Sequence, residues 1–466
     1  MIARAFIGAV IIAIASSTLA VAARLPLSSQ ATSAAPTPTA SPSATPLSVA
    51  TNTPTATPAP THSPTPAPTE TPTPTPTVTP LPPPPAPPPD AQAISPTTAP
   101  VGAVTPRPEP TLAPSFWLGD STSSSVPLAL HGGRPYVPVV LDGVRRDFLL
   151  SSLRPTTVDD SVPVNRGGDV PSIRTLQIGV VRFIGLKVAT ARIDPFAQTY
   201  LGSSATGILG SDLFAHYPVT IDYANLTLTI YRDEASAVAA RPAGAAVIPL
   251  ALIDGMPSVA CGVEGKNAPP CFVDVYADED VALWGAASDV SRRSIGIRDA
   301  DPDHEMNGTV ERARTMSIGT TTISGPLVDR MGSSEPPVPS SKVRAVIGSG
   351  LLSRFSVTID ELGSALILAP NSPAATNAAP SAFDGSGLWL IWRNGQVVVR
   401  SIVPLSPADR AKLRPGDVLL TIDGKPPLDL DSAVRAFERP TGTKVALEYQ
   451  RRNAKKEIVL TLRSLI

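Results

Sequence analysis

The folded part of the chain alternates short apolar runs with turn-forming residues. Runs rich in β-branched and apolar side chains begin near Val126, with examples at 139–141, 148–150, 176–178 and 226–231. Glycine, proline, aspartate and asparagine separate these runs. Such spacing is typical of many short β-strands, and strong helical periodicity is nearly absent. The pattern therefore predicts a mainly β protein.

Four short segments of the β-rich region recur later in the same order. The pairs are RTLQIG at 174–179 and RTMSIG at 314–319, VTID at 219–222 and 357–360, ILGS at 208–211 and VIGS at 346–349, and VPL at 126–128 and IPL at 248–250. Ordered repeats at similar offsets indicate an internal duplication. We expect two lobes of one fold, at 116–240 and 241–370. A third pattern of strands with one short helix follows at 381–466.

The N-terminus has the pattern of an export signal. A positive flank at Arg4 precedes an apolar run at 6–14, and Ala20-Val21-Ala22 offers a cleavage site. The uncharged stretch 5–23 is also long enough to span a bilayer, so 1–23 is predicted to be either a signal peptide or a membrane anchor. Both alternatives place the body outside the cytoplasm, at the cell surface, in a periplasm or in the extracellular space.

Residues 24–115 hold most of the 55 prolines, together with threonine, serine and alanine. A segment of this composition cannot bury enough apolar surface to fold. We expect a disordered, extended linker between the N-terminus and the body.

Charge and cysteine content narrow the function further. Basic and acidic residues nearly cancel, 38 against 39, so nucleic acid is not an expected partner. Cys261 and Cys271 flank turn-forming residues, and an exported chain meets an oxidising compartment, so a disulfide is favoured over two unpaired thiols. Two thiols without a nearby histidine make a poor metal site. We expect no metal and no cofactor, since no nucleotide-binding motif occurs either.

Two motifs carry a family resemblance for the lobes. GILGSDLF at 207–214 followed by YPVTIDY at 217–223 resembles the second signature of retropepsin-like aspartic proteases, and 346–360 is a second copy. The similarity is to the bacterial form in which two retroviral-type units are fused. The resemblance implies two acid-protease β-barrel lobes, each with an apolar strand that leads into a D-T-G-A loop.

The catalytic loops depart from that family pattern. The first D-T-G-A position falls on SSLR at 151–154 and the second on DVYA at 274–277. Asp274 is then the only surviving motif acid, with Ser151 at the position of the lost one, and Leu153 and Tyr276 add bulk where the family has glycine. Peptide hydrolysis in this family needs two carboxylates that share a proton. We expect catalysis to be lost, unless an acid such as Asp159, Asp160, Asp278 or Asp280 replaces the missing one.

The third region resembles a PDZ domain of the circularly permuted bacterial type. The resemblance rests on IVPLSPA at 402–408, LRPGDVL at 413–419 and IDG at 422–424. PDZ domains bind a peptide as an added strand at a sheet edge and hold its carboxylate on backbone N–H groups. The resemblance places peptide binding at Gly385, Ser386, Gly387, Leu388, Trp389, Leu390, Val434 and Phe437. Alternatively, this edge docks on the lobes and covers itself.

Three functions remain open on the sequence. The first is a non-catalytic relative of aspartic proteases that binds a protein C-terminus or an extended segment through the PDZ groove, the inter-lobe cleft or both. The second is an active aspartic endopeptidase that uses Asp274 with another acid. The third is a structural surface protein on a stalk. We expect a monomer, with an N-terminal membrane tether if the leader is retained.

Overall fold

The computed structural model describes residues 114–267, 270–284, 294–298, 307–331, 343, 345–372 and 384–466. The predicted leader at 1–23 and nearly all of the predicted linker at 24–115 lie outside the described residues. Within them, no helix is long and apolar enough to cross a membrane. The described part is mainly β, as the apolar pattern predicts.

The first lobe comprises the elements between residues 115 and 239. Its strands are β1 (Ser115–Trp117), β2 (Ser123–Pro127), β3 (Ala129–His131), β4 (Arg134–Leu141), β5 (Val144–Leu150), β6 (Thr157–Asp159), β7 (Thr175–Ile178), β8 (Val181–Ile184), β9 (Ala189–Ala191), β10 (Gly207–Leu209), β11 (Val219–Asp222) and β12 (Thr227–Tyr231). Its helices are α1 (Asp194–Phe196), a π-helical turn (Ala197–Leu201), α2 (Ser211–His216) and α3 (Glu234–Ala239).

The second lobe comprises the elements between residues 246 and 370. Its strands are β13 (Ala246–Ile253), β14 (Met256–Val259), β15 (Cys261–Val263), β16 (Lys266–Asn267), β17 (Cys271–Asp274), β18 (Val281–Trp284), β19 (Ser294–Arg298), β20 (Asn307–Arg312), β21 (Thr315–Ile318), β22 (Thr321–Ser324), β23 (Leu327–Met331), β24 (Ala345–Gly348), β25 (Phe355–Asp360) and β26 (Ala365–Pro370). Its described helix is α4 (Ser349–Leu352).

The C-terminal domain follows as a separate sheet with its own apolar core. Its strands are β27 (Leu388–Arg393), β28 (Gln396–Ile402), β29 (Val418–Ile422), β30 (Lys444–Arg451) and β31 (Ala454–Thr461), and its helices are α5 (Pro407–Arg410) and α6 (Leu430–Phe437). The sheet order follows the sequence from β27 to β31, so β27 is an edge strand. The core includes Leu388, Val399, Phe437 and Leu447.

In both lobes the strand that leads into the catalytic-motif position is held by the same kind of strand pairing. In the first lobe β10 pairs in parallel with β5 and antiparallel with β6. In the second lobe β24 pairs in parallel with β17 and antiparallel with β18. The loops that follow β5 and β17 therefore start at equivalent places, although the strands are distant in sequence.

A glycine in each lobe makes this arrangement possible. A side chain at Gly210 would overlap the backbone of Arg154 and Thr156, and one at Gly348 would overlap the carbonyls of Ala277 and Glu279. Gly210 thus lets α2 start directly against the loop after β5, and Gly348 lets α4 start directly against the loop after β17. This close approach of two backbones explains the glycine in ILGS and VIGS.

The repeated VTID segments pair with one another. Strand β11 lies antiparallel to β25, with Val219 opposite Ile359 and Ile221 opposite Val357. The hydroxyls of Thr220 and Thr358 are 2.6 Å apart. One sheet thereby runs through both lobes, and the buried apolar residues of both lobes form a common core.

Cys261 and Cys271 form a disulfide with their Cα atoms 5.9 Å apart. Cys261 lies in the small sheet of β15, β16, β21 and β22, whereas Cys271 begins β17 of the large sheet. The bridge therefore ties the small sheet to the strand that ends at Asp274.

A buried ion pair joins the two lobes beside the loop that follows β17. Arg134, at the start of β4, donates to Asp278 of the second lobe over 2.6 Å, and both side chains are 0% exposed. Arg134 also donates through Nε to the carbonyl of Tyr276, at 2.7 Å. Next to it, the Ser349 hydroxyl donates to the carbonyl of Gly133, at 2.8 Å.

We predict that Arg134→Met lowers the free energy of unfolding by about 3–5 kcal/mol, because it removes the guanidinium that lies 2.6 Å from the buried Asp278 carboxylate. Arg134→Met combined with Asp278→Leu should recover most of that loss, since neither charge of the pair is then buried without the other. Urea unfolding of the full chain measures both effects.

The exposed pair Arg174–Asp142 offers a matched control, because its atoms are 3.9 Å apart and Arg174 is 81% exposed. Arg174→Met should change the free energy of unfolding by no more than about 1 kcal/mol. Equal losses for Arg134→Met and Arg174→Met would contradict the role assigned to the buried pair.

Candidate functional site

The two loops at the positions of the resembled family's D-T-G-A motif meet between the lobes. Ser151 follows the last residue of β5 and Asp274 is the last residue of β17. The Ser151 hydroxyl donates to Oδ1 of Asp274 at 3.1 Å, and the N–H of Tyr276 donates to the same oxygen at 3.0 Å. The Ser151 oxygen in turn accepts the N–H groups of Leu153 and Arg154, at 3.3 and 3.1 Å. The site is therefore a hydroxyl–carboxyl pair.

A second serine ties the loops together from one side. The Ser152 hydroxyl donates to the carbonyl of Val273 at 2.7 Å and accepts the N–H of Val275 at 3.3 Å. Val275 occupies the equivalent position in the second lobe and has no hydroxyl to return the interaction. The contact that both lobes of the resembled family would make is thus made by the first lobe alone.

Two bulky residues next to the pair pack against the opposite lobe. Leu153, from the first lobe, packs in an apolar cluster with Met256 and Phe272 of the second. Tyr276, from the second lobe, packs in a cluster with Tyr136 and other first-lobe residues. The two side chains are only 7% and 4% exposed. Each stands at a position where the resembled family has glycine, and each packs against residues of the opposite lobe.

Burial sets the electrostatics of Asp274. Its side chain is 6% exposed and Ser151 is 0% exposed. Desolvation raises the pKa of the Asp274 carboxyl, opposed by the Tyr276 N–H, the charge of Arg154 and the Ser151 hydroxyl. The guanidinium groups of Arg134 and Arg154 lie 4.7 and 5.0 Å from the centre of the Tyr276 ring. Asp274 is thus held in a dry, closed environment.

The acids proposed as replacements for the missing carboxylate have other partners. Asp159 accepts the N–H groups of Ile193 and Asp194. Asp278 pairs with Arg134, Asp280 accepts the N–H of Leu327 at 2.8 Å, and Asp160 is exposed.

The sequence analysis did not identify Arg134 as a residue of the junction. The signal that could have drawn attention to it is its position in a β-rich segment, after Gly132 and Gly133 and before Pro135.

The C-terminal domain presents β27 and α6 side by side. Leu388 and Leu390 on the strand, and Phe437 on the helix, belong to the core of the domain, with Phe437 fully buried. Val434 is half-buried against that core. Trp389 points away from the core cluster and is 7% exposed. Val434 and Phe437 are the two helix residues predicted to line the peptide pocket, and Val434 is the more accessible of them.

The loop predicted to hold a carboxylate already holds one. The buried side chain of Asp384 accepts the N–H groups of Ser386 and of Gly387, the latter at 3.0 Å. The N–H of Leu388 donates to the Ser386 hydroxyl at 3.1 Å, and that of Gly385 donates to the carbonyl of Phe437 at 2.9 Å. Each N–H of the loop is thus bonded inside the domain. An aspartate that starts a D-G-S-G turn is the sequence signal that could have identified Asp384.

Comparison with known proteins identifies one part of the chain. The PDZ domain family model matches residues 398–451. The C-terminal region is a PDZ domain. The carboxy-terminal processing protease CtpB of Bacillus subtilis (strain 168) is 29% identical over 85 residues, which are 18% of this chain and 18% of that protein. The chain therefore matches less than a fifth of the length of that relative.

Two solved structures show more distant likeness. The PDZ domain of a carboxy-terminal protease from Vibrio cholerae, determined in complex with a peptide, is 24% identical, covers 17% of this chain and 93% of its own, and has a TM-score of 0.16. The aspartic proteinase from Irpex lacteus is 12% identical, covers 56% of this chain and 99% of its own, and has a TM-score of 0.34. Neither likeness assigns an activity to this chain.

Among the described residues, no group of three or more histidine, cysteine, aspartate or glutamate side chains is arranged to hold a metal ion.

The Asp384 carboxyl makes the stability of the PDZ domain depend on pH. Burial raises its pKa to about 6, against the N–H groups of Ser386 and Gly387, which favour the charged form. The unfolded chain has an aspartate pKa of about 4, so the folded state binds the proton more readily between these values. Lowering the pH from about 7 to about 4 should therefore raise this group's contribution to the free energy of unfolding, by up to about 3 kcal/mol.

We predict that Asp384→Asn removes this dependence, because the amide oxygen can still accept both N–H groups but does not titrate. Urea unfolding of the wild type and the variant at several pH values measures the difference. Glu457→Gln, at an exposed position of β31, is the control and should leave the dependence unchanged. A wild type and an Asp384→Asn variant with parallel pH profiles would contradict the prediction.

Proposed function

We propose that the chain is an exported, non-catalytic, aspartic-protease-like protein that binds an extended peptide or protein segment through its PDZ domain. The observation that carries the non-catalytic part is the hydrogen bond from the Ser151 hydroxyl to Asp274. A hydroxyl stands where the chemistry of aspartic proteases needs a second carboxyl.

The missing carboxyl removes the central step of peptide hydrolysis. In that mechanism one carboxylate takes a proton from water while a carboxylic acid protonates the substrate, and the two share a proton between turnovers. The Ser151 hydroxyl does not ionise usefully at any pH at which the protein is folded. Among the described residues, the side chain that faces Asp274 across the junction is the Ser151 hydroxyl and not a second acid.

Access to the pair is closed as well. Leu153 and Tyr276 are buried in each other's lobes, so a substrate backbone would have to displace both from apolar clusters. Fully burying side chains of this kind contributes about 1.5–3 kcal/mol each. These contacts support peptide binding in the PDZ domain rather than at the junction of the two loops.

The PDZ domain supplies an edge for strand addition. Strand β27 lies at the edge of its sheet next to α6, as the peptide-binding strand of such a domain must. Because Asp384 already engages the loop amides, an extended segment bound along β27 is favoured over a ligand held by its terminal carboxylate.

Export is supported by the leader pattern and by the disulfide. The leader has the charged flank, apolar run and small-residue site of an export signal. The bridge between Cys261 and Cys271 is typical of an oxidising compartment.

A structural role on a stalk is the second candidate function. The burial of the Ser151–Asp274 pair by the protein's own side chains favours it.

We predict that the full chain cleaves no peptide bond in an unstructured protein substrate between about pH 3 and about pH 8, a range that spans the optima of acid and neutral carboxylate catalysis. Ser151→Asp alone should also be inactive, because Leu153 and Tyr276 remain in place. Mass spectrometry of the substrate after prolonged incubation measures cleavage.

Far-ultraviolet circular dichroism checks that each protein is folded at the assay pH. Asp274→Asn serves as the control for contaminating proteases, since it removes the remaining motif acid. Cleavage by the wild type that disappears in Asp274→Asn would overturn the non-catalytic assignment and show that Asp274 has an acidic partner.

A further inference from the structure

Both faces of the PDZ edge strand are buried, which the domain alone does not explain. Leu388 and Leu390 point into the PDZ core. Trp389 and Ile391, on the opposite face of β27, are only 7% and 5% exposed and are absent from that core cluster. Side chains alternate across a strand, so a second body must cover the outer face.

The covering body is the first lobe. The π-helical turn Ala197–Leu201 packs against β27. Its last residue leads into Gly202, where an added Cβ would lie 3.0 Å from the Cβ of Leu430, the first residue of α6. The turn and Gly202 together therefore contact both the strand and the helix that border the peptide groove.

Gly202 combines a conformational and a steric requirement. Its φ of +66° lies in the left-handed region, which caps the turn and favours glycine. The same residue lies against the backbone N and the Cβ of Leu430, where a side chain would meet the helix. Larger residues are thus excluded by the contact with the PDZ domain as well as by the backbone.

Polar contacts fix the same interface at the start of α6. The N–H of Gly132 donates to Oδ1 of Asp431 at 2.9 Å, and Nδ1 of His131 lies 3.6 Å from Oδ2. The guanidinium of Arg400 lies 4.8 Å from the centre of the Tyr200 ring. Apolar, hydrogen-bonding and cation–π contacts therefore converge on the groove from two segments of the first lobe.

We propose that the first lobe is an intramolecular ligand of the PDZ domain, so that an external peptide binds along β27 only after the segment 197–202 has moved away. This inference rests on the proposed peptide binding and adds its regulation. An external peptide competes with a segment tethered in the same chain, and its apparent affinity falls in proportion to the fraction of molecules with an open groove.

The test uses the full chain in four forms: the wild type, Gly202→Asp, Asp431→Ala and Gly244→Asp. Gly202→Asp places bulk against Leu430 and a negative charge near Asp431. Gly244 is the matched control, because its φ is +77° and no atom lies within 4 Å of an added Cβ. Asp431→Ala, which removes the acceptor for Gly132 without changing a glycine, is the second opening variant.

Two readouts separate docking from binding. Hydrogen exchange followed by mass spectrometry reports on the amides of β27, and a phage-displayed library of random dodecapeptides is the probe for binding. We expect exchange in β27 at least about tenfold faster in Gly202→Asp and Asp431→Ala than in the wild type and Gly244→Asp. We expect peptides to enrich on the two opened variants only.

The unfavourable outcomes are distinct. Exchange in β27 that is equally fast in the wild type and in both opened variants would overturn the docking. Faster exchange in the opened variants with equal peptide enrichment on all four proteins would overturn the gating and leave the proposed function intact. Faster exchange with no enrichment on any protein would overturn the proposed peptide binding, and the gating with it.

Discussion

The pairing of β11 with β25 is the constraint on which the rest of the body depends. It joins the two VTID segments edge to edge and makes one sheet of strands that are about 140 residues apart in sequence. With that sheet in place, the loops after β5 and β17 face one another, and Ser151 meets Asp274. The ion pair between Arg134 and Asp278 then closes the junction from the side.

The lobe junction departs at four positions from the pattern of the aspartic proteases that the sequence resembles. A carboxyl, two glycines and a threonine of the family pattern are replaced by Ser151, Leu153, Tyr276 and Val275. Burial raises the pKa of the Asp274 carboxyl, while the Tyr276 N–H and the Ser151 hydroxyl donate to its Oδ1. At the glycine positions of the family pattern, Leu153 and Tyr276 pack against residues of the opposite lobe.

The sequence predicted the mainly β class and the PDZ domain, because strand length, turn residues and PDZ signatures are local patterns. The resemblance to aspartic proteases pointed to Ser151 and Asp274, as the residues at the two positions of the motif acid. The sequence left open whether the PDZ edge docks on the lobes, but it did not identify Ala197–Leu201 as the segment that packs on β27, nor Asp384 as the acceptor of the loop amides. Those contacts depend on the packing of segments far apart in sequence, which no local pattern encodes.

The disulfide between Cys261 and Cys271 makes the stability of the second lobe depend on the redox conditions around the protein. Closing a loop of about ten residues stabilises a fold by about 3 kcal/mol in the chain-entropy model, a large share of the stability of a typical domain. Here the bridge anchors β17, the strand that ends at the lobe junction. Under reducing conditions the chain would keep two thiols and lack that anchor, so the redox conditions around the protein and the stability of the second lobe are thermodynamically linked.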